Sequence, residues 1–277
     1  MKKTALFFVL VLLNSFSFSC SSDDDSEQQP NLSQNKLVKT EKISDTRKVD
    51  YTYNTNDLLS SLSGTYNSFE YASNFTYDLE NKLTEWNYQE SGSSSYSDNY
   101  TYTYNSSGLL AGYSSNTQNV SLDYNGNVVT LSGTIKGNTN SQVELILNNN
   151  GLITKLTESN KYTNFSYDSN GNLISAKSYN NSNNLLAEFT LQYDTKINPF
   201  YGQLKSIYIE RFIESFWDFD GIYISGFEGY YFPFQKNNVT VINEVGGETT
   251  SYNYLYDSDN HPTNVSGSSL GFDIVYY

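Results

Sequence analysis

The chain has 277 residues, with 16 Lys and Arg against 30 Asp and Glu, a formal net charge of −14 at neutral pH. A chain that acidic is a poor partner for nucleic acid, whose phosphates call for clustered Lys and Arg. With 26 Tyr, 16 Phe, one Met and abundant Asn, Ser, Thr and Gly, it disfavours helix and favours strands joined by tight turns.

Lys2 and Lys3 precede a purely apolar run from Ala5 to Leu13. The run is too short to cross about 30 Å of hydrocarbon as a helix, but it has the length of a signal-peptide core. Ser17-Phe18-Ser19-Cys20 follows. Small Ser19 suits cleavage before the cysteine, although Ser17 replaces the Leu usual three places earlier. Residues 1–19 therefore read as a lipoprotein signal peptide, and Cys20 as the lipidated residue that ties the chain to a membrane. The alternative is an ordinary secretory signal, but the lone cysteine has no disulfide partner. Each buried CH₂ of a lipid contributes about 0.8 kcal/mol, so several acyl chains anchor firmly. Loss of Lys2 and Lys3 leaves 14 basic against 30 acidic residues, a net charge of −16. Residues 20–35 read as an acidic, flexible tether. Their Ser21-Ser22-Asp23-Asp24-Asp25 opening resembles the export signal of Bacteroidota lipoproteins, which implies the outer face of the outer membrane.

Residues 36–277 read as one repetitive β-sheet domain. A phrase recurs: aromatic-x-aromatic, Asp or Asn, a short turn often with Gly, then Leu or Val. Copies are Tyr51 to Leu59, Phe75 to Leu83, Tyr102 to Leu110, Leu122 to Val129, Leu145 to Ile153, Phe165 to Ile174, Leu191 to Asp194 and Tyr254 to Asp257. Roughly 18 to 27 residues separate successive copies except before the last, a period that signals a repeat architecture. Each copy has the physics of a β-hairpin. Alternation puts the aromatics on one face, Asp or Asn bonds the backbone N–H two residues on, and Gly or Asn supplies positive φ. Eight copies imply about sixteen antiparallel strands in a meander.

The phrase, best seen in Phe165-Ser-Tyr167-Asp168-Ser-Asn-Gly171-Asn172-Leu173-Ile174, resembles the YD repeat of Rhs-type and teneurin-like proteins. The whole layout is similar to a family of Bacteroidota lipoproteins of unknown function with a porin-like all-β fold. Cys20, the repeats, Lys196-Ile-Asn198-Pro199-Phe200 and Asn260-His261-Pro262-Thr263 carry that likeness. It implies a long curved antiparallel meander, an open sheet or a barrel, and no activity. A barrel facing lipid needs an apolar outer band, and the outward positions here are often Thr, Ser, Asn or Glu.

One segment, residues 200–234, holds no copy of the phrase. Aromatics and carboxylates crowd there, and Trp217 is one of two tryptophans. The favoured reading is a structural insertion that plugs or covers one end of the sheet and buries an edge. The functional reading is a sugar site in which rings stack on C–H faces and carboxylates accept from hydroxyls. Its candidate ligand-binding residues are Trp217, Tyr223, Tyr230, Tyr231, Glu214, Asp218 and Asp220.

Catalytic machinery is not visible. His261, the sole histidine, sits in a turn after Asp257, so neither a triad nor a zinc site can be assembled. The acidic stretches at Asp168 and Asp257 lack the bidentate Glu of a calcium loop and read as hairpin turns. A pair among Glu210, Glu214, Asp218, Asp220 and Glu228 for glycoside hydrolysis stays formally open. The expectation is a surface-exposed outer-membrane lipoprotein with a non-catalytic binding or structural domain, no cofactor and no metal. Its expected partners are the membrane, through lipid on Cys20, and a glycan or a cell-surface protein. A glycan-binding role in nutrient uptake and an adhesion or assembly role are the rival readings.

Overall fold

A computed structural model describes residues 36–217, 221–222, 224, 226–267 and 271–277. Cys20, read as the anchor, the residues read as the tether, and Asp218, Asp220 and Tyr223 lie outside the described residues.

Eighteen strands occur among the described residues. The first nine are Val38–Ser44 (β1), Arg47–Tyr53 (β2), Leu59–Tyr66 (β3), Phe69–Tyr77 (β4), Leu83–Ser91 (β5), Tyr96–Tyr104 (β6), Leu110–Ser114 (β7), Asn119–Asn125 (β8) and Val128–Ile135 (β9). The second nine are Asn138–Leu147 (β10), Ile153–Thr157 (β11), Lys161–Tyr167 (β12), Leu173–Asn180 (β13), Leu185–Ile197 (β14), Asn237–Glu244 (β15), Thr249–Tyr256 (β16), Pro262–Gly267 (β17) and Gly271–Tyr276 (β18). Each pairs antiparallel with its neighbours in sequence. β1 also pairs with β18, Val38 opposite Tyr276 and Glu41 opposite Ile274, so the sheet closes into a barrel. Closure removes both sheet edges. The count exceeds the sixteen expected because β1 and β18 meet through the chain ends, without a turn to announce them.

Six of the repeat turns share one construction. In the Asp168 turn, Asn170 N–H and Asn172 N–H both donate to Asp168 Oδ1, at 2.8 and 2.9 Å. Gly171, three residues after the Asp, has φ of 82°, where a side chain with Cβ is strained. Asn54, Asp78, Asn105, Asn148 and Asp257 make the same pair of bonds. The Asp168 and Asp257 loops are thus hairpin turns, as read.

After most of these turns the ladder slips by one residue, as between Thr52 and Tyr53 opposite Leu59. This bulge changes the inward spacing. Leu59 and Leu62, Leu83 and Trp86, Ile153 and Leu156 are buried pairs three residues apart, where simple alternation expects two. A bulge also leaves ladder groups unpaired. The repeat tyrosines answer this. Tyr77, Tyr104, Tyr124, Tyr167, Tyr193, Tyr254 and Tyr276 donate their hydroxyls to the carbonyls of Leu59, Leu83, Leu110, Ile153, Leu173, Val239 and Pro262, at 2.6–2.8 Å. A tyrosine with a buried ring needs such a partner for its hydroxyl.

The inward face is apolar and the outward face polar. Thr52, Ser63, Asn74, Thr76, Thr101, Asp123, Glu144 and Ser166 point out and are exposed. This is the reverse of a lipid-facing barrel, whose band of apolar residues lies outside. An 18-stranded barrel is wide enough for an aqueous channel. Here the described part of the connection from β14 to β15, residues 198–217, 221–222, 224 and 226–236, packs inside it. Its helix, Tyr208–Phe216 (α1), buries Ile209, Phe212, Ile213 and Phe216, which are spaced as one helical face. Phe212 and Phe216 meet Phe165 of β12 edge-on, at 4.8 and 4.9 Å between ring centres. Phe200 packs on Tyr51 of β2 at 5.1 Å, and Phe227 on Phe272 of β18 at 5.6 Å. The insertion is therefore an internal plug; the edge it was expected to bury is absent from a closed sheet.

Candidate functional site

The barrel has two ends. The turn end carries the repeat turns, and the chain enters and leaves the plug there. The far end carries the other hairpin turns.

Four plug side chains fix the entry. Leu59 N–H donates to Gln203 Oε1 at 2.8 Å, and Leu83 N–H to Ser206 Oγ at 3.0 Å. Ile153 N–H donates to the Tyr208 hydroxyl at 3.2 Å, and Leu173 N–H to Gln235 Oε1 at 2.7 Å. All four donors are first residues of the strands that follow a turn. The plug is thus registered on the groups the bulges leave over.

Deeper in, the Arg211 guanidinium lies over the Trp86 indole at 4.6 Å and faces the Tyr231 ring at 5.5 Å. It donates from Nε to Glu210 Oε2 at 2.6 Å and from a terminal nitrogen to Glu210 Oε1. Burial pushes the Glu210 carboxyl up, and Arg211 opposes that. Facing the return limb, Glu41 of β1 accepts at Oε2 from the Tyr51 hydroxyl at 2.5 Å and from Glu228 N–H at 3.1 Å. Tyr71 donates to Glu228 Oε1. Complete burial is the main reason Glu41 is pushed up to about 8. Beside this limb is a half-open space of about 50 Å³, bounded by Glu41, Phe200, Gly229 and Phe272, which is too small for an organic ligand.

At the far end α1 is latched to the wall. Gln118 Nε2 donates to Glu214 Oε1 at 2.8 Å, and Lys136 Nζ donates to the Glu214 carbonyl at 3.0 Å. The next turn delivers Trp217, half-buried, into an open groove of about 670 Å³. The groove is a notch between strands of unequal length. β10 pairs with β9 along most of its length, but β11 joins it only from Glu144, opposite Thr157. Asn138, Asn140 and Gln142 project past that point and form one wall, and Ser159 and Asn160 of the short β11–β12 turn form the other. On its opposite side that turn is tied to the β13–β14 turn, Asn181 Nδ2 donating to the Ser159 carbonyl at 3.1 Å. A second open groove, about 590 Å³, lies at the turn end between the Asp78 and Asn105 turns. Its one ring, Tyr104, faces the Lys82 ammonium at 5.6 Å.

The residues singled out in the sequence thus separate. Trp217 lines the far-end groove. Glu214 serves as a latch, Tyr230 is buried against Tyr51, and Tyr231 faces Arg211. The groove's amides were missed, because in sequence they look like any turn Asn or Gln. Among the described carboxylates once weighed for hydrolysis, Glu210, Glu214 and Glu228 are each engaged by a protein donor.

No protein-family model matches the chain, and no curated protein matches it in sequence. Solved structures do. A porin-like protein from Bacteroides uniformis shares 9% identity over 88% of this chain and 98% of its own, with a TM-score of 0.36. A porin-like protein from Bacteroides vulgatus shares 12% over 87% and 99%, with a TM-score of 0.35. The Tc holotoxin pore of Photorhabdus luminescens shares 10% over 81% of this chain and 9% of that chain, with a TM-score of 0.30. The barrel assignment stands on the strand pairings of this chain.

Proposed function

We propose that the protein is a lipid-anchored, surface-exposed outer-membrane protein whose plugged barrel is a non-catalytic binding scaffold, with its far end presented outward. The observation that carries this reading is where the chain joins the barrel. Lys36 N–H donates to His261 Nε2 at 3.2 Å, and its ammonium pairs with Asp257 at 2.8 Å and Asp259 at 2.6 Å. All three partners belong to a repeat turn, so the tether starts at the turn end. Cys20 lies sixteen residues before Lys36, so lipid on Cys20 would make the turn end the membrane-proximal one. The polar outer wall supports the same reading, since it suits water rather than lipid.

Two labelling experiments test it. Radiolabelled palmitate should enter the wild-type protein and not Cys20→Ala. Because Cys20 is the only cysteine, Ser159→Cys at the far end and Ser106→Cys at the turn end can be labelled singly. A membrane-impermeant maleimide on intact cells should modify Ser159→Cys faster than Ser106→Cys. Labelling of neither until the outer membrane is permeabilised would reject surface exposure.

A further inference from the structure

We infer that the far-end groove around Trp217 binds an uncharged oligosaccharide, with the indole as its stacking face and the carboxamides of Asn138, Asn140, Gln142 and Asn160 as its hydroxyl-bonding rim. This rests on the reading that the far end is the presented, ligand-facing end.

The argument is from what lines the notch. Trp217 is only half-buried, and it is the aromatic ring of the groove. Its site is fixed from below by the bonds from Gln118 and Lys136 to Glu214, so the ring-bearing turn sits on a rigid support, which lowers the entropic cost of binding. The rim groups Asn138, Asn140, Gln142 and Asn160 are exposed. A carboxamide both donates and accepts, as a sugar hydroxyl does.

Charge narrows the class. No Lys or Arg is among the described residues that line the groove, while Glu144 and Glu158 are, the latter paired with Lys161 Nζ at 3.9 Å. Uronates, sulfated glycans and phosphates would meet Glu144 with no cation in that lining to offset it. The other occupant to weigh is an extended peptide adding to the projecting edge of β10. A strand added there needs a regular ladder. The β9–β10 register slips between Asn138 and Ser141, and Asn140 has φ of 55°, so this edge turns its N–H and C=O groups out of the plane a new strand would use. Side-chain amides remain as the recognition elements.

The test is a fluorescence titration of the detergent-solubilised full-length protein. Trp86, the other indole, is buried under Arg211, so a quenchable signal belongs to Trp217. The probes are neutral oligosaccharides from glucan, mannan, xylan and galactan, with polygalacturonate, choline and an uncharged hexapeptide as contrasts. The expected result is saturable quenching by at least one neutral oligosaccharide and none by the contrasts. Calorimetry with that sugar should show binding at least tenfold weaker in Trp217→Ala and in Asn140→Ala/Gln142→Ala, with thermal unfolding unchanged. Silence across the neutral panel, saturation by choline or the peptide instead, or undiminished affinity in Trp217→Ala would each overturn the proposal. Purified protein has no orientation, so failure here is distinct from failure of the surface-labelling experiment.

Discussion

The wall and the plug of this barrel solve the same problem in opposite ways. The wall is built largely from one phrase used eight times, most copies bringing a turn, a bulge and a tyrosine. The plug has no repeat. It is held by single side chains, each placed to meet a group that a particular copy of the phrase leaves unpaired. Damage to the wall is therefore shared among equivalent copies, whereas damage to the plug falls on one contact with no duplicate.

That contrast can be broken most severely at Arg211. Arg211→Ala strips Glu210 of its partner inside the barrel, and a buried pair broken on one side costs about 3–5 kcal/mol. Urea unfolding should show that loss, and Glu210→Gln combined with Arg211→Met should recover much of it. Phe212→Ala removes a ring wedged against Phe165, and about 3–5 kcal/mol is expected from the cavity. A wall residue of similar burial in one repeat should cost no less per atom, so this pair of regions differs in polar contacts rather than in packing.

Glu41 adds a pH dependence on the plug side. Its folded value of about 8 lies above the ordinary 4.5. The protonated form is the one the fold prefers, so its stabilisation is complete below about 4.5, falls as pH rises towards 8 and is gone above it. Chemical denaturation between pH 5 and 9 should show stability declining over that window. Glu41→Gln should flatten the decline, and an unchanged slope would place the titration elsewhere.

Smaller effects separate the two regions further. Gln203→Ala leaves the Leu59 N–H buried without a partner and should cost about 1–3 kcal/mol. Tyr77→Phe removes one of seven equivalent hydroxyl bonds, for about 0.5–1.5 kcal/mol. At the exposed Thr52 a change to Ser should stay within about 0.5 kcal/mol.

Much of the wall was legible because its chemistry is local. An Asp or Asn that bonds two backbone N–H groups, followed by Gly or Asn at positive φ, makes a turn wherever it occurs. What was not legible is long-range. Nothing within β1 or β18 announces that they pair, since the contact joins residues at opposite ends of the chain. The bulges were hidden because the turn, not the strand pattern, sets them. In the plug, Ile209, Phe212, Ile213 and Phe216 do carry a helical period, but it is set among β-favouring aromatics, and only the enclosing wall makes a nine-residue helix stable. Trp217 stood out by rarity, while its groove depends on β10 outlasting β11, a difference in strand length that composition does not encode.

The most direct test of an apolar-inside, plugged barrel is the behaviour of the chain from Ser26 to Tyr277 without detergent. The account predicts a folded, monodisperse β protein in plain buffer that produces no conductance steps when added to a planar lipid bilayer. A chain that needs detergent to stay in solution and opens ion-conducting pores would contradict it.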